Sequence, residues 1–341
     1  MNKIVITGGA GFIGSHVAER MVKDFPEAEI HILDKMTYAA DFENISHVMK
    51  RGQRCLCVGD LCDYEFCLRV TSRADLVLHL AAESHVDNSF GNSFRFTQSN
   101  TLGTHTLLEA ARVNKVAKFI HVSTDEVYGE IRTGLHKETD FLNPTNPYSA
   151  SKAAADMIVN SYIRSFKLPI ISVRANNIYG IRQYPEKLIP RFTLLGLTGR
   201  KLTVHGDGSH SRRFLAVEDF AEAISLLIHK GDIGEIYNVG SDSEYTTLQI
   251  VEMITSRLGV SASAMTEFVP DRPFNDCRYA IDCSKLQTLG WKQNRPFEPH
   301  LSEVIDWYRH NLGRYEHVFD LNGPAASLVP GMANRGVVVE V

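Results

Sequence analysis

No stretch of this 341-residue chain stays apolar for the roughly 18–20 residues that a bilayer crossing needs, so no membrane span is expected. An excess of positive charge is also missing: 36 Lys and Arg face 40 Asp and Glu, a formal balance of −4. Without a basic block, neither nucleic acid nor an anionic membrane is an expected partner. Low-complexity tracts and internal repeats are absent. With 44% hydrophobic and 22% charged residues, disordered and collagen-like classes are excluded, and one large core plus a lobe is within reach. The opening MNKIVITGGAGFIGSH turns to glycine at position 8, unlike a signal peptide, which points to a cytoplasmic protein. The six cysteines (Cys55, Cys57, Cys62, Cys67, Cys277 and Cys283) contain no CxxC pair of the kind that places two thiolates on one zinc. Cys55 and Cys57 alternate along RCLCVGD, which reads as a buried strand. The thiols are therefore read as reduced core residues, and no metal is expected.

What the chain does have is a regular alternation. Strand-like runs fall at Lys3–Thr7, Glu29–Asp34, Arg54–Asp60, Asp75–Leu80, Lys118–Ser123 and Ile170–Arg174. Helical spacing lies between them, most clearly at Gly11–Asp24, Phe94–Val113 and Tyr148–Phe166. Strands that alternate with helices and are apolar throughout predict a parallel sheet covered on both faces. After about residue 176 glycine and proline punctuate the chain more often. Helices are expected at Glu218–Lys230, Thr247–Leu258 and Pro299–Asn311, and strands at Lys201–Val204 and Glu235–Val239. The expected fold class is α/β: a doubly wound, Rossmann-type parallel sheet with a smaller mixed α/β C-terminal substrate lobe. The expected division is a dinucleotide domain at 1–176, with segments of about 213–240 returning to it, a lobe at 177–315 and an extension at 316–341. That extension ends in VVVEV and reads either as a mobile tail or as an added strand.

Gly8, Gly11 and Gly14 follow the first strand and open the first helix. This spacing permits a tight turn, close approach to a pyrophosphate and close helix–strand packing. Asp34 ends the second strand, 20 residues past Gly14. A carboxylate there accepts from a ribose 2′-hydroxyl and repels a 2′-phosphate, which favours NAD over NADP. Asp60 ends the third strand and reads equally as an adenine contact or a helix cap.

Tyr148 and Lys152 stand at i and i+4, on one helix face. A neighbouring ammonium stabilises phenolate and makes tyrosine a usable base near neutral pH. Ser123-Thr124-Asp125-Glu126 follows the strand FIHVS, at the end where α/β sheets place ligands. Adjacent carboxylates there are either solvated or used.

Together, GGAGFIGSH, LAAESHVDNSF, HVSTDEVYGE, NPYSASKAAAD, NNIYG, YPEKLIPRF and HGDGSHSRRFLAVEDFAEA resemble the nucleotide-sugar 4,6-dehydratases of the extended short-chain dehydrogenase/reductase superfamily. The resemblance runs from about Met1 to Asn311. It implies that Tyr148 takes the hexose 4-OH proton with Lys152 tuning it, and that Glu126 removes the C5 proton. Asp125 would protonate the departing 6-hydroxyl, and Thr124 would hydrogen-bond the 4-oxygen. It implies tightly held NAD, regenerated at each turnover, against Gly8, Gly11, Phe12, Ile13, Gly14, Asp34, Lys35, Thr37, Asp60, Leu61, Leu80, Ala81, Ala82, Tyr148 and Lys152. Substrate contacts are implied for Ser84, Thr124, Asn177, Glu186, Lys187, Leu188, Arg212, Asn238, Arg272 and Asn275, with Lys187, Arg212 and Arg272 on the diphosphate. A homodimer through a four-helix bundle of Phe94–Val113 and Tyr148–Phe166 is implied as well.

The chain departs from the bacterial dTDP-glucose enzymes at Asn275, where they usually show histidine, and at Ala216, where an aromatic is often seen. HVDNSFGNSF and RPFND are similar to the plant-type UDP-glucose enzymes and their animal relatives, which leans the reading to UDP-glucose or a dual preference. A 4-epimerase would use Tyr148, Lys152 and NAD without the acid–base pair. A sugar-acid decarboxylase often keeps Glu126 but lacks Asp125. A non-catalytic dinucleotide sensor needs loss of Tyr148, Lys152 or the Thr-Asp-Glu set.

Overall fold

The computed structural model describes residues 1–50, 52–271, 276–319 and 337–339. Seven strands form a parallel sheet: β1 (Lys3–Thr7), β2 (Glu29–Asp34), β3 (Arg54–Val58), β4 (Leu76–His79), β5 (Lys118–Thr124), β6 (Ile170–Ala175) and β10 (Ile236–Val239). Their spatial order is β10-β6-β5-β4-β1-β2-β3, so the winding reverses between β1 and β4. Ligands bind at such a switch point, beyond the carboxyl ends of the strands. Of the C-terminal extension, only Val337–Val339 and the turns up to residue 319 belong to the described residues. Val337–Val339 pairs antiparallel with β3, the added-strand alternative.

Helix α1 (Phe12–Asp24) and helix α6 (Val217–Lys230) pack together, joining one face of the sheet in a core that includes Val17, Met21, Phe220 and Leu227. The other face is covered by α2 (Tyr64–Thr71), α3 (Gly103–Val113) and α4 (Pro147–Phe166), around Phe66, Leu107, Leu108 and Val159. With both faces covered, every residue of β1 and β6 is buried, which is why these strands read as largely apolar. Helix α6 and strand β10, both within about 213–240, contribute to the main core and sheet.

The remaining segments build a separate core. Short strands β7 (Asn177–Tyr179), β9 (Ser211–Ala216) and β11 (Glu244–Thr246) form one small sheet; β8 (Leu202–His205) and β12 (Thr266–Val269) form another. Helices α5 (Leu188–Leu197), α7 (Thr247–Leu258) and α8 (Phe297–His310) close over them, burying Phe192, Ile254, Val304 and Tyr308. The helix read as Phe94–Val113 is a composite. A π-helical turn at Thr97–Leu102 separates Ser93–Phe96 from α3. One extra residue per turn is a feature frequent at functional sites, and no periodicity in the sequence marks it.

Candidate active site

A cleft of about 500 Å³ runs from the switch point into the lobe. Gly8 shows why glycine is required at its floor: its φ is +68°, and a Cβ there would lie 2.8 Å from the backbone of Ala81. At Gly14 a Cβ would come within 2.1 Å of the Gly8 carbonyl oxygen. Gly8 thus lets the β1–α1 turn approach the loop after β4, and Gly14 lets α1 pack onto that turn; the helix start lines the cleft, a fit for a pyrophosphate. Asp34 is buried; its Oδ2 accepts from Ala10 N (3.0 Å) and its Oδ1 from Met36 N (2.9 Å). A carboxylate has about four lone-pair sites, so these bonds orient it and leave capacity for a ribose. Burial raises its pKa, and the backbone amides oppose the rise. Asp60 is not the cap of α2, a task performed by Asp63. It binds Cys62 N and an ion pair from Lys35 at 2.6 Å.

Every sequence-predicted cofactor residue lines this cleft: Gly8, Gly11, Phe12, Ile13, Gly14, Asp34, Lys35, Thr37, Asp60, Leu61, Leu80, Ala81, Ala82, Tyr148 and Lys152. So do Ser84, Thr124, Glu126, Asn177, Glu186, Lys187, Leu188 and Arg212. Asn238 does not. It is fully buried on β10, where its amide donates to the carbonyls of His136 and Asp282 and accepts from the Tyr128 hydroxyl (2.9 Å). With its hydrogen bonds spent tying the His136 and Asp282 segments to the sheet, it is a structural residue, and its expected substrate contact is corrected here. Arg272 and Asn275 lie outside the described residues.

At the end of β5, Thr124 caps the short turn Asp125–Tyr128, accepting from Glu126 N at 3.3 Å. Asp125 is buried, and its Oδ2 accepts from Asn176 Nδ2 at 2.7 Å. Burial first, and then the charge of Glu126, push its carboxyl up to about 7, against the Asn176 hydrogen bond. Glu126 is half-buried and accepts from Asn146 Nδ2 at 3.2 Å. Burial raises its pKa too, while Asn146, Arg212 and Lys187 pull the other way.

Tyr148 behaves differently from the expectation of a lowered phenol. Burial raises its pKa, the Glu126 charge adds to the rise, and only a hydrogen bond with Thr124 opposes it. Lys152 is itself buried and lowered to about 8 by desolvation, and Nζ donates to the Val122 carbonyl at 2.8 Å. The phenol therefore keeps its proton at neutral pH in this arrangement. One turn further on, Asp156 is held between His121 (3.1 Å) and Arg174 (2.9 Å). Burial pushes Asp156 up, but the His121 hydrogen bond and the Arg174 charge more than offset it and leave it at about 2. This fixed negative charge supports the Lys152 ammonium.

Toward the lobe, Lys187 Nζ donates to the Ser84 carbonyl (2.6 Å), and Glu186 accepts from the Tyr38 hydroxyl (2.7 Å). The Arg212 guanidinium donates to the Asp276 carbonyl and lies 4.8 Å from the Tyr279 ring centre. Sequence reasoning missed Asn100, Asn146 and Asn176. Asn146 carried a legible signal, a cap before Pro147 with a capping box to Ser149. Asn100 sits in the π-helical turn and donates to the Glu83 carbonyl and to Ser151 Oγ; it and Asn176 are found only through long-range contacts.

A glycine turn at the switch point, with Tyr148 and Lys152 on the helix after β5, is the arrangement of an extended short-chain dehydrogenase/reductase. The GDP-mannose 4,6 dehydratase family model matches residues 5–304. A trifunctional UDP-glucose 4,6-dehydratase/UDP-4-keto-6-deoxy-D-glucose 3,5-epimerase/UDP-4-keto-L-rhamnose-reductase of Arabidopsis thaliana is 46% identical over 90% of this chain and 47% of its own. The chain thus spans about half the length of the first curated relatives it matches. The dTDP-D-glucose 4,6-dehydratase of Homo sapiens is 40% identical, over 93% of this chain and 92% of its own. A crystal structure of dTDP-glucose 4,6-dehydratase from Streptomyces venezuelae, with NAD bound, superposes with a TM-score of 0.90 at 37% identity, covering 93% of this chain and 99% of the other. The chain belongs to the nucleotide-sugar 4,6-dehydratase family of the extended short-chain dehydrogenase/reductase superfamily.

Proposed function

We propose that this chain is a hydro-lyase that converts a nucleoside-diphosphate glucose to its 4-keto-6-deoxy product. The observation that carries the reading is the carboxyl pair Asp125 and Glu126 beside Tyr148, with Asp125 raised to about 7. Dehydration across C5 and C6 needs an acid and a base side by side, and divergent environments supply both from two carboxyls. Asp125 is the acid that gives its proton to the leaving 6-hydroxyl; Glu126, hydrogen-bonded to Asn146, is the base for C5–H. Tyr148 takes the 4-OH proton, with Thr124 on the same oxygen. Held against Gly8, Gly14 and Asp34, NAD would supply hydride transfer at C4 and C6 and a positively charged ring in the site. A positive charge near a phenol lowers its pKa, so Tyr148 is matched to a charged partner. Lys187 and Arg212 line the cleft on the lobe side and suit a diphosphate.

The test is product analysis with UDP-glucose and dTDP-glucose side by side. A 4-keto-6-deoxy product, read by its alkaline absorbance, is expected, with UDP-glucose turned over at least as well as dTDP-glucose. A UDP-glucose 4-epimerase from Thermus thermophilus shares the fold with a TM-score of 0.83 at 30% identity. Galactose formation, or CO₂ release from UDP-glucuronate, would sink the dehydratase reading. We further infer a cytoplasmic homodimer; no helix among the described residues is long and apolar enough to cross a membrane. The dimer reading is supported by apolar side chains left exposed on the π-helical turn before α3 and on α4, including Leu102 and Met157.

A further inference from the structure

Outside the cleft, strands β2 and β3 bring together three groups that sequence spacing does not join. The parallel register sets His31 opposite Cys55, and Cys57 lies two residues on, so all three side chains project from the same face of the sheet. Cys55 Sγ and Cys57 Sγ are 3.6 Å apart, Cys57 Sγ is 3.9 Å from His31 Nδ1, and all three ligand atoms lie within 4.8 Å of one another. Two thiolates on one tetrahedral zinc, each at about 2.3 Å, stand about 3.8 Å apart, and a sulfur and an imidazole nitrogen about 3.6 Å apart. The three atoms thus already hold ligand spacing. The other imidazole nitrogen, Nε2, lies 3.5 Å from Glu29 Oε2. A carboxylate on the far nitrogen fixes the ring and its tautomer, the usual support for a metal-bound histidine.

We propose that His31 Nδ1, Cys55 Sγ and Cys57 Sγ form a binding site for one thiophilic d10 cation, zinc(II) or copper(I), clipping β2 to β3. Thiolate and imidazole ligands suit both ions. Copper(I) is satisfied by the three ligands alone. Zinc(II) takes a water as its fourth, which half-exposed His31 and Cys55 allow. The two thiolates carry −2, so zinc leaves the site neutral and copper leaves it at −1, beside the ammonium of Lys3. Burial first, and then Cys55, push the Cys57 thiol up to about 12, while burial and Lys3 keep His31 neutral. The imidazole is ready to ligate. The thiols give up their protons to solvent on loading, up to two per ion, so affinity rises with pH.

The test uses the cofactor-bound protein, reduced with a phosphine and stripped with a chelator, so that no Cys55–Cys57 disulfide can block uptake. Zinc(II) is titrated against a chromogenic chelator, and copper(I) against bicinchoninate without oxygen. About one equivalent of at least one ion is expected, with whichever ion binds more tightly naming the occupant, and X-ray absorption should give sulfur at about 2.3 Å for zinc. Glu29→Gln, which keeps all three ligands, should weaken binding roughly 10-fold, and His31→Ala by about 100-fold or more. Cys62→Ser, on a thiol outside the cluster, should change nothing. Cys57 is buried, so half-exposed Cys55 is the cysteine to replace; bound metal should raise the melting temperature of the parent and not of Cys55→Ser. Uptake below about 0.1 equivalent of both ions, or undiminished uptake by the His31→Ala/Cys55→Ser double variant, overturns the proposal.

Discussion

Asp125 and Glu126 are sequence neighbours whose side chains meet different partners, Asn176 for one and Asn146 for the other. The folded pKa of Asp125, about 7, lies above its unfolded value near 3.9. Its contribution to stability is therefore fully present below about pH 4 and is lost as pH rises through 7, because folding then buries a charge. Asp125→Asn removes that charge. The variant is expected to gain about 2 kcal/mol on the parent between pH 5 and pH 8, read by denaturant melts at the two values. Activity of the parent should fall above pH 7, where the acid has lost its proton. With Asp125→Asn or Glu126→Gln, elimination fails while C4 oxidation survives, so the near-ultraviolet absorbance of reduced nicotinamide should accumulate. A variant with neither cofactor reduction nor product would refute this division of labour. Tyr148, Lys152 and Asp34 were legible because their signal is local: helix spacing and a strand end. Asn176 was not, since its role depends on a partner 51 residues away. Asn238 misled for the same reason, since only the fold reveals that its amide is spent on backbone carbonyls.

At the scale of elements, the first β–α turn shows how tightly sequence and packing can be bound. Strand β1 and helix α7 follow their expected bounds because burial on both faces, or a cap and a closing glycine, leaves one reading, and β2 follows its own as well. The π-helical turn at Thr97–Leu102 was illegible; it carries Asn100, whose partners Glu83 and Ser151 are brought to it only by the fold. Gly14 is the sharper test. A methyl group there meets the Gly8 carbonyl and the Gly9 Cα, both backbone, so α1 must move away from the sheet. Gly14→Ala should cost about 1–3 kcal/mol in overpacking. It should also release cofactor during purification, measured as the absorbance ratio of protein to nucleotide. Retention of a full complement of nucleotide would show that α1 has slack that the contacts deny.

At the scale of the molecule, the two lobes explain the cleft, and the apolar groups outside both cores remain to be covered. Phe94 is 76% exposed, Met157 56%, Phe166 52% and Leu102 49%. These residues fall on the turns that lead into α3 and on α4; α3 and α4 pack side by side. On α4, exposed Ala150, Ala154, Met157 and Ser161 recur every three or four residues, a narrow stripe whose small side chains allow close approach. In the homodimer proposed above, a two-fold axis between the stripes would bury each against its copy in a four-helix arrangement. Charge placed on the stripe should then be costly only in the assembly. Leu102→Glu with Met157→Glu is expected to convert a dimer into a monomer in sedimentation experiments at micromolar protein. Because neither residue lines the cleft, the monomer should still bind nucleotide. Asp34, Asp125 and Glu126 lie at or just past strand ends, and the partners that hold the carboxyl pair, Asn176 and Asn146, belong to the same chain, so activity in the monomer should survive at a lower melting temperature. A parent protein that sediments as a monomer would leave the stripe unexplained and remove the dimer from this reading.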